Sequence, residues 1–146
     1  MKKIIAIVLS VTASVMVFAA SVDETQIRAN IEAQTLTIDR NTVVPENYKD
    51  LFATEEIGDF NVFILEKVKS FLCEKDPDLR VITSADVKSI KVTSRNSAVA
   101  ELTLKTRCST KQQGFQDNDV ECVMFFKKVN GVWKMSDNKI KHIRLL

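Results

Sequence analysis

Three glycines and two prolines in 146 residues leave little material for loop-built chemistry. A phosphate cradle needs backbone amides presented by a glycine-rich turn, and no such stretch exists. The single histidine excludes a multi-histidine metal site, and Cys73, Cys108, Cys122 and His142 lack the short spacing of zinc ligands. Charge of one sign is also missing: 21 Lys+Arg stand against 19 Asp+Glu. That balance argues against a nucleic-acid partner, because phosphate binding rests on a basic surplus. A 45% hydrophobic share and a formal charge of only +2 exclude a disordered chain. At roughly 150 residues per domain, the length allows one.

Residues 1–20 read as a separate object. Lys2 and Lys3 precede an apolar run from Ile4 to Phe18, diluted only by Ser10, Thr12 and Ser14, which is the layout of a secretory leader. The small-residue rule places the cut after Val17-Phe18-Ala19, since cutting one residue later would put Phe18 at the −3 position. The run is shorter than the ~20 apolar residues a spanning helix needs, so no membrane span is expected after cleavage. The expected organisation is a signal peptide over 1–19 and a single domain over 20–146, with a periplasmic or secreted bacterial address. Without Lys2 and Lys3 the acids and bases balance.

The remaining chain divides by period, helical before Pro77 and strand-like after it. Ile27 and Ile31 recur at helical spacing behind a possible capping box at Ser21 and Glu24, predicting a helix from Val22 to Leu36. Pro45 suits a helix start, predicting a short helix to Phe52. A longer one spans Asp59 to Glu74, with Phe60, Ile64, Val68, Phe71 and Leu72 forming a stripe that Asp76-Pro77 ends. Strands are expected around Ile90 and Val92, from Ala98 to Cys108, from Val120 to Val129 and from Val132 to Ser136. Asn130-Gly131 supplies the type I′ hairpin signal.

Three turns, at Arg95–Ser97, around Phe115 and at Asn130-Gly131, set a register. It places Ile90, Val92, Ala100, Leu102, Leu104, Met124, Phe126, Trp133 and Met135 on one face. The fold class expected is α+β, with N-terminal helices packed on one face of a four- to five-stranded antiparallel meander sheet. The tail from Ile140 to Leu146 either extends the last strand or adds a fifth.

The same register sets Cys108 opposite Cys122, flanking a polar loop from Ser109 to Asp119. In an oxidising compartment this predicts a cross-strand disulfide, with Cys73 taking one of the two partners as the alternative. Cys73 otherwise reads as a buried helical thiol.

Candidates for chemistry are few. Nucleophilic catalysis needs a base beside a Ser or Cys, and the one imidazole is His142; a Cys73–His142 dyad is weighed against an exposed His142. Asp117-Asn118-Asp119 and Asp137-Asn138 lack the Gly and distant Glu of a calcium loop and read as turns. Asp23-Glu24 and Glu55-Glu56 suit helix starts. No acid alternates onto the apolar strand face, so no buried general base is expected. No catalytic residue, metal ligand or cofactor is assigned. The apolar sheet face is either core or the wall of a cleft, with Leu104, Met124, Phe126, Trp133 and Met135 as binding residues and Tyr48 as the polar member.

The run Val120-Glu121-Cys122-Val123-Met124-Phe125-Phe126-Lys127-Lys128-Val129-Asn130-Gly131-Val132-Trp133-Lys134-Met135 resembles small exported members of the nuclear transport factor 2-like (cystatin-like) superfamily, whose last hairpin often ends in Gly followed closely by Trp-Lys. The likeness covers Val87 to Met135 and implies a cone-shaped α+β fold with a pocket between sheet and helices. Enzymatic members place acids, a His or a Tyr in that pocket; here the inward positions are apolar and Tyr48 is the one echo. The expected function is therefore an exported, non-catalytic envelope protein that binds a small apolar ligand or an envelope protein in the sheet/helix cleft. The alternatives are a periplasmic inhibitor or immunity protein using the Ser109–Asp119 loop, and an isomerase or cyclase of the same fold. Oligomeric state stays open.

Overall fold

The computed structural model describes residues 22–111 and 114–146. The leader and its cleavage site lie outside the described residues. Helix α1 covers residues 22–34. A 3-10 helix follows at Glu46–Leu51 behind Pro45, and α2 covers Glu55–Lys75. Thr54 caps α2 by accepting the Ile57 N–H at 3.3 Å, while Glu55 and Glu56 occupy its first turn, where carboxylates favour the helix dipole.

The rest is sheet. Strands β1 (Arg80–Ser94), β2 (Ser97–Thr110), β3 (Gly114–Val129) and β4 (Val132–Leu145) form an antiparallel meander in the order β1-β2-β3-β4. Every strand is longer than expected, because residues that look polar and loop-like continue the ladder.

The β3–β4 hairpin turns at Asn130-Gly131, both with positive φ (50° and 79°), and pairs Lys128 with Trp133 and Phe126 with Met135, as the turn chemistry requires. The β2–β3 register differs from expectation. Thr110 pairs with Gly114, so Ser109–Thr110 and Gly114–Asp119 of the segment read as a loop are strand, and Cys108 faces Gln116 while Cys122 faces Leu102. The predicted Cys108–Cys122 disulfide is thus corrected: directly paired strand residues are needed, and these two are displaced along the ladder. Cys73, Cys108 and Cys122 are all free thiols.

The displaced register keeps the predicted face because the slip is even, and only an odd slip exchanges faces. Ala98, Ala100, Leu102, Cys122, Met124, Phe126, Trp133 and Met135 are all buried on it. Bulges maintain it along the edge strands. In β1 the register shift between Val87 and Ser89 moves the inward set from Val81 and Val87 to Ile90 and Val92. In β4 two shifts move it from Trp133 and Met135 to Ile140 and then to Ile143 and Leu145.

The layered α+β arrangement with a possible fifth strand is also corrected. The sheet has four strands, the tail extends β4, and sheet outweighs helix. The helical cover is partial: Ile27 and Ile31 of α1, Tyr48 of the 3-10 helix and the adjoining Phe52 complete the core. Within α2 only Gly58 is buried, packed against Lys49. Ile57, Val62 and Leu65 point inward, half-buried, which turns the predicted core stripe of Phe60, Ile64, Val68 and Phe71 to solvent. This helix is apolar on two sides, and periodicity alone does not say which one meets the sheet.

Candidate interaction surface

Five of the six residues expected to line a cleft, Tyr48, Met124, Phe126, Trp133 and Met135, sit together in the closed core, and Leu104 packs at its margin. Tyr48 stacks edge-on with Phe52, ring centroids 5.5 Å apart, and its hydroxyl donates to the Gln34 carbonyl at 3.5 Å. Burial pushes the Tyr48 phenol above its ordinary pKa, so it stays neutral. These residues act as packing.

Two polar residues hold this core shut: Asn30, which sequence reasoning missed, and Asp23, which it read only as a helix-start acid. Asn30 is buried on α1; its amide donates to the carbonyls of Leu51 (3.0 Å) and Trp133 (3.2 Å), and its oxygen accepts from Gln34 Nε2 at 2.7 Å. One side chain thereby joins α1, the 3-10 helix and β4. Asp23 accepts from the Trp133 indole N–H at 2.8 Å and from Lys128 Nζ at 3.1 Å, tying the first turn of α1 to the last hairpin. The Trp133 bond, foremost, and Lys128 hold its carboxyl below the usual carboxylate range against a smaller opposing effect of burial. Asn at helical spacing between Ile27 and Ile31 was the available signal for Asn30.

No reactive constellation assembles. His142 lies opposite Glu121 on the polar face. Among the described residues no group of three or more His, Cys, Asp or Glu is placed to hold a metal. Burial raises the pKa of the Cys108 and Cys122 thiols, which keeps them protonated and unreactive. The polar face is a lattice of opposite charges instead: Arg107 forks onto Asp117 (2.7 and 2.8 Å), Lys141 reaches Glu101 (3.2 Å) and Lys105 reaches Asp86 (3.6 Å).

What stands open is the far half of β4. Its near end is covered, because the Ala53 N–H donates to the Met135 carbonyl at 2.8 Å and Phe52 bridges Met135. Beyond Asp137 the strand is the sheet's edge, with no further strand beside it among the described residues. There Ile140, Ile143 and Leu145, paired with Cys122, Val120 and Asn118, continue the inner face but are exposed. An open ladder beside an apolar row is the physical form of a strand-addition site.

Residues 78–146, just under half of the chain, match the family described as "Anti-sigma-I factor RsgI9, C-terminal domain". The match begins two residues before β1 and spans all four strands, leaving out α1, the 3-10 helix and α2. No curated protein matches the chain. Likeness to an anti-sigma-I factor domain overturns the expected function of an envelope protein that binds an apolar ligand in a sheet/helix cleft. The geometry agrees: the cleft is filled core, and Ser109–Thr110 and Gly114–Asp119, most of the loop that an inhibitor would use, are paired in the ladder. Among the described residues no helix is long and apolar enough to cross a membrane.

Proposed function

We propose that this chain is a non-enzymatic regulatory protein whose sheet carries its contacts, and that a protein partner adds an extended segment along the open half of β4. The observation that carries this is the coincidence of three properties in residues 137–145: a free edge, an exposed apolar row of Ile140, Ile143 and Leu145, and a place inside the span similar to an anti-sigma-I factor domain. Strand addition derives affinity from main-chain bonds and specificity from alternate side chains, so it needs no pocket. The partner class that fits both the similarity and an exported chain is a protein that controls sigma-I activity from outside the cytoplasm, rather than the sigma factor itself.

The test is transcription from sigma-I-dependent promoters in cells with the chain, without it, and with Ile140→Lys/Ile143→Asp. Both side chains are exposed, so the fold should tolerate the change within about 0.5 kcal/mol. The expected result is that the variant behaves as the deletion does. Unchanged promoter output on deletion would refute the regulatory reading, and full function in the folded double variant would refute the β4 site.

Two further proposals stand apart from this one. The lysine-led apolar segment at residues 1–19 supports export through a cleaved leader; an intact mass beginning at Met1 after passage through the cell would overturn it. The Val120–Met135 hairpin supports kinship with the nuclear transport factor 2-like superfamily, to be judged by superposing an experimental structure on its members.

A further inference from the structure

Helix α2 leaves its large apolar side chains in water. Phe60, Phe63 and Phe71 are 61%, 55% and 58% exposed, and Ile64 and Val68 are exposed with them. At 100° per residue these five fall on one stripe. The stripe is symmetric about its midpoint between Leu65 and Glu66: Phe60 mirrors Phe71, Phe63 mirrors Val68, Ile64 mirrors Lys67, and Glu56 mirrors Lys75.

We propose that α2 is a self-association surface, on which α2 of a second copy packs antiparallel across a two-fold axis through that midpoint. A two-fold interface requires that residue i meet residue j while j meets i, and the mirrored stripe satisfies this along its length. Phe60 of each copy meets Phe71 of the other. Helix-dipole preference accounts for an acid at one end and a base at the other, but not for the mirrored aromatics between them. In the antiparallel pair the same end charges become complementary, Glu56 facing Lys75 twice. The two lysines already lie along the stripe, Lys67 Nζ 5.5 Å from the Phe63 ring centroid and Lys75 Nζ 4.3 Å from that of Phe71. Their stems add apolar cover while their heads stay in water, so Lys67 can oppose Ile64 without burying charge.

The size fits. With aromatic side chains offering about 150–250 Å² each, the exposed fractions leave roughly 400 Å² of apolar surface per copy. At the usual apolar share of about 60%, that corresponds to an interface near 700 Å² per partner, close to the ~800 Å² of a standard specific contact. An unrelated partner would need an apolar stripe but no symmetry in it.

Light scattering and sedimentation of the purified full chain, from micromolar to near-millimolar concentration, test this. The expected result is a monomer–dimer equilibrium that Phe60→Glu/Phe71→Glu abolishes while circular dichroism stays unchanged. Glu56→Lys alone should weaken association by about tenfold at low salt, and adding Lys75→Glu to the same chain should recover it. Because Lys67 lies close to the axis, Lys67→Cys should give a covalent dimer on mild oxidation at a yield that the parent chain does not reach. A monomer at every concentration would overturn the proposal, since it assigns the stripe to another protein or to the rest of this chain. A dimer that survives the double Phe substitution would overturn it by placing the contact elsewhere, and a charge reversal without recovery would overturn the antiparallel arrangement.

Discussion

Removing the carboxylate of Asp23 tests how the helical cover is held to the sheet. Trp133 is 2% exposed, and its indole N–H has Asp23 as its acceptor at 2.8 Å. Asp23→Ala strands that N–H in a nearly dry site, which costs about 1–3 kcal/mol. The lost charge in the first turn of α1 adds about 0.3–1 kcal/mol through the helix dipole. The Lys128 pair, with side chains 28% and 19% exposed, adds at most about 1 kcal/mol. The expected loss is about 2–3 kcal/mol at neutral pH, a fall in Tm of roughly 8 °C for a domain of this size. Asp23→Asn keeps an oxygen for Trp133 and should lose about half as much. Denaturant unfolding followed by fluorescence reads this directly, because Trp133 is the only tryptophan. The pH dependence has a defined sign. Asp23 titrates lower folded than unfolded, so its contribution is complete above the unfolded value of about 3.9 and disappears as pH falls through the folded one. The gap between wild type and Asp23→Asn should therefore close as pH falls below about 4, while the gap to Asp23→Ala should narrow to the part that a neutral acceptor keeps. Asp23→Ala within about 0.5 kcal/mol of wild type at pH 7, or a gap to Asp23→Asn that persists in acid, would refute the reasoning.

Gly58→Ala should destabilise by about 1–2 kcal/mol despite the ~1 kcal/mol that alanine gains over glycine in a helix. The new Cβ would lie 2.8 Å from the Lys49 carbonyl oxygen, which is backbone and cannot step aside; a raised Tm would contradict this. Gly131→Ala puts a side chain at φ +79° and should cost about 1 kcal/mol by thermal unfolding, whereas Asn130→Gly should be close to neutral. Iodoacetamide added to the unreduced, denatured protein should modify both Cys108 and Cys122, and a linked Cys108–Cys122 peptide would sink the β2–β3 register.

The inward face of the sheet was legible because burial enforces period two wherever the ladder crosses the core. Met124, Phe126, Trp133 and Met135 announce it, and Asn130-Gly131 pins the pair of strands that carries them. The β2–β3 turn was not legible. Ser109 to Asp119 is rich in polar residues because both faces of the sheet are wet at that end, and a wet strand looks like a loop. Cys108 and Cys122 then seemed paired only because the turn had been placed too far along the chain. The orientation of α2 failed for a different reason. Phe60 and Phe71 on one side outweigh Ile57, Val62 and Leu65 on the other, yet Gly58 lets the backbone approach Lys49 on the lighter side, and close approach decided the packing.

The same physics explains why the open surfaces are where they are. The helices cover the inner face only as far as Ile27, Ile31, Tyr48 and Phe52 reach, while the strands run on past them. Beyond that limit, apolar side chains on β4 gain nothing from this chain's own folding, and Ile140, Ile143 and Leu145 stay exposed along an unpaired edge. Edge strands elsewhere are blunted by bulges and charge, and β1 carries both, with Lys88 at its first register shift and Lys91 close by. β4 is also bulged and carries Lys139, Lys141 and Arg144, but Lys141 and Arg144 lie against Glu101 and Glu121 of the sheet's own polar face. Their charge is turned away from the edge, which leaves the ladder and its apolar row accessible. An edge so placed is guarded against indiscriminate pairing by its bulges yet leaves its ladder and apolar row accessible, which is the property that the proposed strand addition requires.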